Sequence, residues 1–125
     1  MKAYLINSKT EEHGPVDAEP TLEEYYRLVG CRCVDFIIRK IAGRPYAFIV
    51  DDEGMLKESN RTSAASLFGR LEQLFGNVLI FGSDPRNEEH GMRSLTDDDL
   101  GRISSSMFVG AFPDGSTHPV LSYTL

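Results

Sequence analysis

Two segments in which side chains alternate between two faces, joined by a short turn, constrain the fold of this chain more than any other feature. In residues 31–41, one strand face carries Val34, Phe36 and Ile38, and the other face is partly polar. Residues 46–50 alternate in the same way, and residues 42–45, Ala-Gly-Arg-Pro, are typical of a turn. The sequence therefore predicts a β-hairpin. Its mixed face, which carries Cys33, Asp35, Ile37 and Arg39, predicts a sheet that is open to water on that side.

Three helices are predicted from capping residues that precede apolar side chains at helical spacing. Thr21 and Glu24 form a capping-box pattern at the start of the first helix, and Gly30 ends it. Ser63 caps the second helix and Thr96 caps the third. The second helix would bury one apolar stripe, which consists of Leu67, Phe68, Leu71, Leu74 and Phe75.

Further strands are predicted at residues 2–7, 55–57, 78–81 and 120–124. The apolar run 78–81 favours a central strand covered on both faces, and 120–124 would be a last strand at a sheet edge. Residues 8–20 and 83–93 are predicted to be connections. The fold class that follows is α+β, with a mixed or mainly antiparallel sheet of about 4–6 strands around a central hairpin, packed by two or three short helices.

Composition narrows the class of protein. A chain of 125 residues is the usual size of one domain, so residues 1–125 are predicted to share a single core. The net charge of −6 disfavours binding to nucleic acid. No apolar run approaches the length needed to cross a membrane, and no leader pattern is present, so a cytoplasmic location is expected. Cys31 and Cys33 would then be reduced thiols.

Several short segments carry a resemblance to a known family. They are VDDEGMLK at residues 50–57, the step Asn60-Arg61 before an Ala-containing segment, FGNVLIFG at 75–82 and SLTD at 94–97. Their order resembles that of a small domain-of-unknown-function family encoded in bacteriophages, plasmids and integrative elements of bacteria. The family pattern has Pro where this chain has Ser59. The resemblance implies a family-like part at residues 1–107 and a C-terminal extension at 108–125. The family has no established activity to carry over to this chain.

The cysteines form a C-x-C pair whose thiols would share one strand face. A zinc site needs two more ligands, and the candidates His13, His90 and His118 are not spaced as a pair. A nucleophilic thiol would need a cationic neighbour or a histidine. Packing thiols are the favoured interpretation, so no metal and no cofactor is predicted.

Two acidic runs would suggest metal sites but are better explained by local structure. Asp97, Asp98 and Asp99 fall about 100° apart on a helix, so they cannot all face one ion, and capping accounts for them. The run at residues 51–54 lacks the distal Glu of a calcium loop, because its twelfth position is Thr62.

Three polar residues are candidate binding residues. Asn60 and Arg61 precede a predicted helix, where free backbone N–H groups would hold an anion. Asp84 follows the predicted central strand, and sites often lie at strand ends in α/β sheets. A plain helix-entry loop is the favoured alternative for Asn60 and Arg61.

The functional hypotheses follow from these residues. The first is a non-enzymatic protein-binding or accessory module of a phage or mobile element, a modulator of a host enzyme or defence system, with an unknown protein partner. The alternative is a small enzyme or small-ligand-binding domain with its site near Asn60, Arg61 and Asp84. A third is a homodimer through the polar hairpin face or the last strand. No catalytic residues are predicted.

Overall fold

The computed structural model describes residues 1–57 and 61–125. Within them lie two α-helices, α1 (Leu22–Val29) and α2 (Asp97–Ser105), and a 3-10 turn at Gly54–Leu56. The strands are β1 (Lys2–Ile6), β2 (His13–Asp17), β3 (Val34–Ile41), β4 (Arg44–Asp51), β5 (Thr62–Ser66), β6 (Glu72–Phe75), β7 (Val78–Ser83), β8 (Met92–Arg93), β9 (Met107–Ala111) and β10 (Thr117–Ser122).

The larger sheet, sheet A, is antiparallel and has the strand order β2-β1-β7-β4-β3, with β8 paired to β7. The predicted hairpin is confirmed as β3 and β4, which pair from Val34 opposite Asp51 to Ile41 opposite Arg44. Both residues of its turn have positive φ, 49° at Ala42 and 83° at Gly43. This geometry matches the twist of a hairpin, and glycine adopts it at little cost.

The second sheet, sheet B, has the order β6-β5-β10-β9. Strands β5 and β10 are parallel, whereas the outer two pairs are antiparallel. The described chain is therefore mostly β-structure in two sheets with two α-helices, and the expectation of a single sheet is corrected.

Two apolar clusters, one on each face of sheet A, hold the sheets and helices together. One face of sheet A packs on sheet B and α2, through buried residues such as Tyr46, Phe48, Val50, Ile103, Leu121 and Tyr123. The other face packs on α1, through residues that include Ala47, Ile49, Leu79, Phe81, Tyr25 and Val29. Alternate residues of β4 and β7 enter opposite clusters, so both strands are covered on both faces, as predicted for 78–81.

The helix termini follow the predicted capping. The Thr21 hydroxyl accepts a hydrogen bond from the Glu24 backbone N–H at 3.3 Å, and Gly30 ends α1 with a φ of 74°. The Glu24 carboxylate, however, accepts from the Glu19 backbone N–H at 3.2 Å, so it does not form the reciprocal half of the predicted box. At α2, Thr96 forms the complete box with Asp99.

The predicted helix after Ser63 is wrong, because residues 62–75 form β5, a turn and β6. Residues 62–66 are all buried, in a strand between β6 and β10. Ser66 closes the turn by donating to the Arg70 carbonyl at 3.0 Å, and Gly69 has a φ of 71°. Strand pairing with residues distant in sequence thus overrides the helical spacing of the leucines.

Five smaller expectations are also corrected. The connection 8–20 contains β2, the loop 83–93 contains β8, and residues 54–56 form a 3-10 turn where a strand was expected. The last strand, β10, is interior to sheet B. The mixed face of the hairpin is covered toward the turn, where Ile37 packs on the inter-sheet cluster and Ile41 is fully buried, whereas Cys33 and Asp35 are exposed as expected. Sheet B, which lies on that face, could not be inferred from alternation alone.

We expect residues 1–107 alone to lose cooperative folding. That fragment lacks all of β9 after Met107, the whole of β10 and the residues that follow it. The core residues Leu121 and Tyr123 are lost with them, and each is worth about 2–5 kcal/mol when removed from a core. The total stability of a domain is about 5–15 kcal/mol. Circular dichroism with thermal melting would show the loss. A chain lacking only the half-exposed Leu125 is the control and should melt like the full chain, and a cooperative transition of 1–107 would contradict the expectation.

Candidate functional site

The structure does not bring the predicted binding residues together. Arg61 lies before β5, where its carbonyl accepts from Gly76 N–H at 2.9 Å and its guanidinium contacts the Glu11 carboxylate at 2.6 Å. Gly76 precedes β7 and Asp84 follows it, so Arg61 and Asp84 are separated by about 20 Å, the length of a six-residue strand. Asp84 closes its own turn by accepting from Arg86 N–H at 3.1 Å. Asn60 lies outside the described residues.

The thiols lie in surroundings that disfavour a thiolate. Burial, followed by the charge of Asp51, raises the pKa of Cys31. Desolvation and then the Asp52 carboxylate raise the pKa of Cys33, whose thiol lies 3.8 Å from that carboxylate. A nucleophilic cysteine needs the opposite environment. Among the described residues, no group of three or more ligating side chains is arranged to hold a metal ion.

Asp99 is the one member of the acidic run that is buried, at 2% exposure. Its carboxylate accepts from Arg93 Nη1 at 2.7 Å, from the Tyr46 hydroxyl at 2.7 Å and from Thr96 N–H at 2.8 Å. Burial raises the pKa of Asp99, but these hydrogen bonds outweigh it and lower the pKa well below the ordinary range. The carboxylate is thus saturated with donors and ties α2 to sheet A.

A second carboxylate connects the two sheets. Glu72 on β6 accepts a bidentate pair from Arg39 on β3, at 2.9 and 3.0 Å, and a bond from the Tyr123 hydroxyl at 2.8 Å. The hydrogen bonds from Arg39 lower the pKa of Glu72, although its partial burial acts in the opposite direction. The pKa of Tyr123 is raised, mainly by burial and also by the contact with the Glu72 carboxylate. The cleft beside this group holds about 200 Å³. The half-buried charges of Arg39 and Glu72 are already paired with each other, which is typical of a structural contact.

The most unusual surface is the tip of the β5–β6 hairpin, residues 67–71, named the apolar tip. Leu67, Phe68 and Leu71 there are 50, 77 and 74% exposed. Met55 of the 3-10 turn, 76% exposed, lies beside it, and a depression of about 400 Å³ is lined by Met55, Leu67, Leu71 and Phe75. A cluster of several large apolar side chains that are exposed to solvent indicates a surface that contacts another molecule.

An apolar groove continues from the tip along the outer face of sheet B. It holds about 450 Å³ and is lined by Leu67, Phe108, Val109, Phe112, Pro113 and Val120, and none of the described residues that line it is charged. Neither α1 nor sheet A covers this groove, because sheet A packs on the opposite, inner face of sheet B and α1 packs on sheet A. The groove and the apolar tip together are named the sheet B surface.

His118 supports one end of the groove. Its Nε2 lies 3.0 Å from the Thr62 carbonyl, which can only accept, so this nitrogen carries the proton. Phe112 stacks on the imidazole with ring centroids 4.1 Å apart. The Nδ1 atom is buried and has no hydrogen-bond partner in the part of the chain that the structure describes. The histidine predicted as a metal candidate therefore acts as packing beneath Phe112.

The large apolar residues of the sheet B surface are conspicuous in the sequence, but their spacing predicts that they are buried and not exposed. Helical spacing places Leu67, Phe68 and Leu71 on the buried stripe of a helix, although Gly69 interrupts that stripe. Met55 falls in a predicted strand. Exposure of these residues depends on the pairing of β5 with β10, which no local pattern reveals.

The resemblance to a family of unknown function is confirmed, whereas its phage and mobile-element setting stays a prediction. A domain of unknown function (DUF3846) matches residues 1–107, and the chain belongs to this family. No curated protein and no solved structure matches the chain. Among the residues that the structure describes, no helix combines the length and apolar character needed to cross a bilayer.

Asp99→Asn is expected to destabilise the fold by about 2–4 kcal/mol, because it leaves Arg93 without its buried counter-charge. Urea unfolding followed by circular dichroism measures the change. Asp97→Asn is the matched control, since Asp97 occupies the same first turn but is exposed, and it should cost no more than about 0.5 kcal/mol. Equal effects of the two substitutions would contradict the role assigned to Asp99.

The same carboxylate predicts a pH dependence. Because the pKa of Asp99 is lower in the folded than in the unfolded state, its stabilisation is complete above about pH 4–5 and is lost as the pH falls further. The unfolding free energy of the wild type should therefore fall by up to about 1.4 kcal/mol per pH unit more than that of Asp99→Asn below about pH 4. Glu24, Glu72 and Asp114, whose pKa values are also lowered, remain in both proteins, so parallel curves would contradict this assignment.

Proposed function

We propose that this protein is a non-enzymatic protein-binding module that binds through the sheet B surface. The observation that carries the proposal is the exposure of Phe68 and Leu71, each about three-quarters exposed at the end of a hairpin. Burying such side chains releases about 1.5–3 kcal/mol each, and aromatic side chains dominate the energy of protein interfaces. A partner with an apolar surface would therefore gain most of its binding energy here.

The polar groups support binding over catalysis. Asp99 and Glu72 are saturated by arginine and tyrosine donors, and both cysteine pKa values are raised. A catalytic acid, base or nucleophile needs a free and suitably poised group. The buried polar groups thus hold the scaffold that presents the sheet B surface.

We place the module in the bacterial cytoplasm, in a phage or mobile-element setting, as a modulator of a host enzyme or defence system. The family resemblance supports this setting. Four exposed acids, Glu88, Glu89, Asp97 and Asp98, would face a partner with a basic surface, whereas Asp99 is buried and paired. These acids would steer the encounter, and the sheet B surface would supply the affinity.

The second proposal is a small enzyme or small-ligand-binding domain, with its site either at Asn60 and Arg61 or at Asp84, since Arg61 and Asp84 lie at opposite ends of β7 and cannot share one ligand. Arg61, which is half-exposed, would hold an anion, and Asp84 would hold a cation. The contact of Arg61 with Glu11 weakens this alternative, because it already neutralises the guanidinium charge.

Replacement of Phe68 and Leu71 by serine is expected to weaken partner binding by at least about 30-fold, which corresponds to the loss of one interface hot spot. The partner is captured from host lysate, identified, purified and titrated by calorimetry. Ile38→Ser is the matched control, because Ile38 is also half-exposed but lies on β3 of sheet A. Unchanged affinity of the double variant, or a chain that binds neither a host protein nor a second copy of itself, would contradict the proposal.

A further inference from the structure

The two ends of the sheet B surface carry opposite charges. Strand β10 runs parallel to β5, so the apolar tip, which follows β5, lies where β10 ends. The turn at residues 112–116, which joins β9 to β10, lies where β10 begins. The charged side chain of the tip is Arg70, and that of the turn is Asp114. The surface is therefore apolar along its length, positive at one end and negative at the other.

Both charges are available to a partner. Arg70 and Asp114 are exposed, and neither forms an ion pair within the described part of the chain. Arg61, the cation near Asp114, is in contact with Glu11 at 2.6 Å. Asp114 is fixed in place, because its carboxylate accepts from both the backbone N–H and the hydroxyl of Ser116, at 2.9 and 2.6 Å.

We infer that the partner of the sheet B surface is a second copy of this chain, packed face to face with the apolar tip of each copy over the 112–116 turn of the other. This inference rests on the proposed function and names the partner of the same surface. A two-fold axis that passes through the centre of the interface, at right angles to the line from tip to turn, produces this arrangement. It places Arg70 of each copy beside Asp114 of the other, and it buries Phe68 and Leu71 against the apolar groove.

The area is sufficient for a specific dimer. Leu67, Phe68, Leu71, Phe108 and Val109 are between 37 and 77% exposed, and together they offer roughly 500 Å² of apolar surface per copy. A symmetric pair would bury about 1,000 Å² from these side chains alone, which reaches the lower bound for a specific interface. The arrangement also covers Phe112, which stacks on the buried imidazole of His118. A dimer of modest, concentration-dependent affinity follows.

The test uses charge reversal in the full chain. Sedimentation velocity of the wild type should show, with rising concentration, a species of twice the chain mass of 14.0 kDa. Arg70→Asp places two aspartates at each end of the dimer, and Asp114→Arg places two arginines there. Each variant alone should weaken the dimer by at least about 10-fold. Arg86→Asp, whose parent side chain is 95% exposed in the β7–β8 loop, is the matched control and should dimerise normally.

An equal mixture of the two variants gives the decisive result. In the mixed dimer, the introduced aspartate faces the introduced arginine at one end, and the native Arg70 faces the native Asp114 at the other. Both ends are therefore complementary again. The mixture should dimerise to within about threefold of the wild type, although neither variant does so alone. The rescue would show that the single variants fail because the Arg70–Asp114 contact is lost. If Asp114→Arg had instead damaged the 112–116 turn, mixing the variants would not restore the dimer.

Three results would overturn the inference: a monomeric wild type at all concentrations, a dimer that both reversals leave unchanged, or a mixture that stays monomeric. A monomeric chain that still captures a different protein through Phe68 and Leu71 would refute the second copy as partner and leave the proposed function standing. If neither self-association nor capture depends on Phe68 and Leu71, both conclusions fail.

Discussion

The burial of β4 on both faces is the constraint on which the rest of this structure depends. Its alternate side chains enter two clusters, Tyr46, Phe48 and Val50 toward sheet B and Ala47 and Ile49 toward α1. The inter-sheet contact is specific, since Phe48 meets Tyr123 edge to face with centroids 5.4 Å apart. Because the strand has no solvated face, neither α1 nor sheet B can move away without exposing part of the core.

Two carboxylates then fix the angle and spacing of these layers. Asp99 binds Tyr46 of β4 from α2, and Glu72 of β6 binds Arg39 of β3 and Tyr123 after β10. Each is a buried or half-buried acid that meets an arginine and a tyrosine hydroxyl. Such groups add little net stability but penalise any other packing, which would leave a charge without its partner. A rigid scaffold of this kind presents an exposed apolar hairpin without letting it collapse onto the core.

The parts that could be predicted from the sequence are those that local chemistry determines. Thr21 and Gly30 bound α1, the pair Ala42-Gly43 forms the hairpin turn, and the run 78–81 is a doubly covered strand. The segment 62–75 could not be predicted, because its leucines are spaced equally well for a helix and its strand pairing is with β10. The candidate surface lies within this segment. Similarly, the spacing from Thr96 places Asp99 in the capping box, but only tertiary packing shows that its carboxylate is buried against Tyr46.

The end of the family match at residue 107 has a structural consequence for the surface. Strand β5 lies within the matched region, but its neighbour β10 lies beyond it, and β10 supplies Leu121 to the core. Without a strand in that place, β5 would become an edge, and its backbone groups that pair with β10 would have no partner. The matched region therefore needs a strand from outside itself. In this chain that strand also forms the floor of the apolar groove, whereas the apolar tip comes from the matched region. Changes in the segment after residue 107 would consequently alter the shape and charge of the groove while the apolar tip stayed the same.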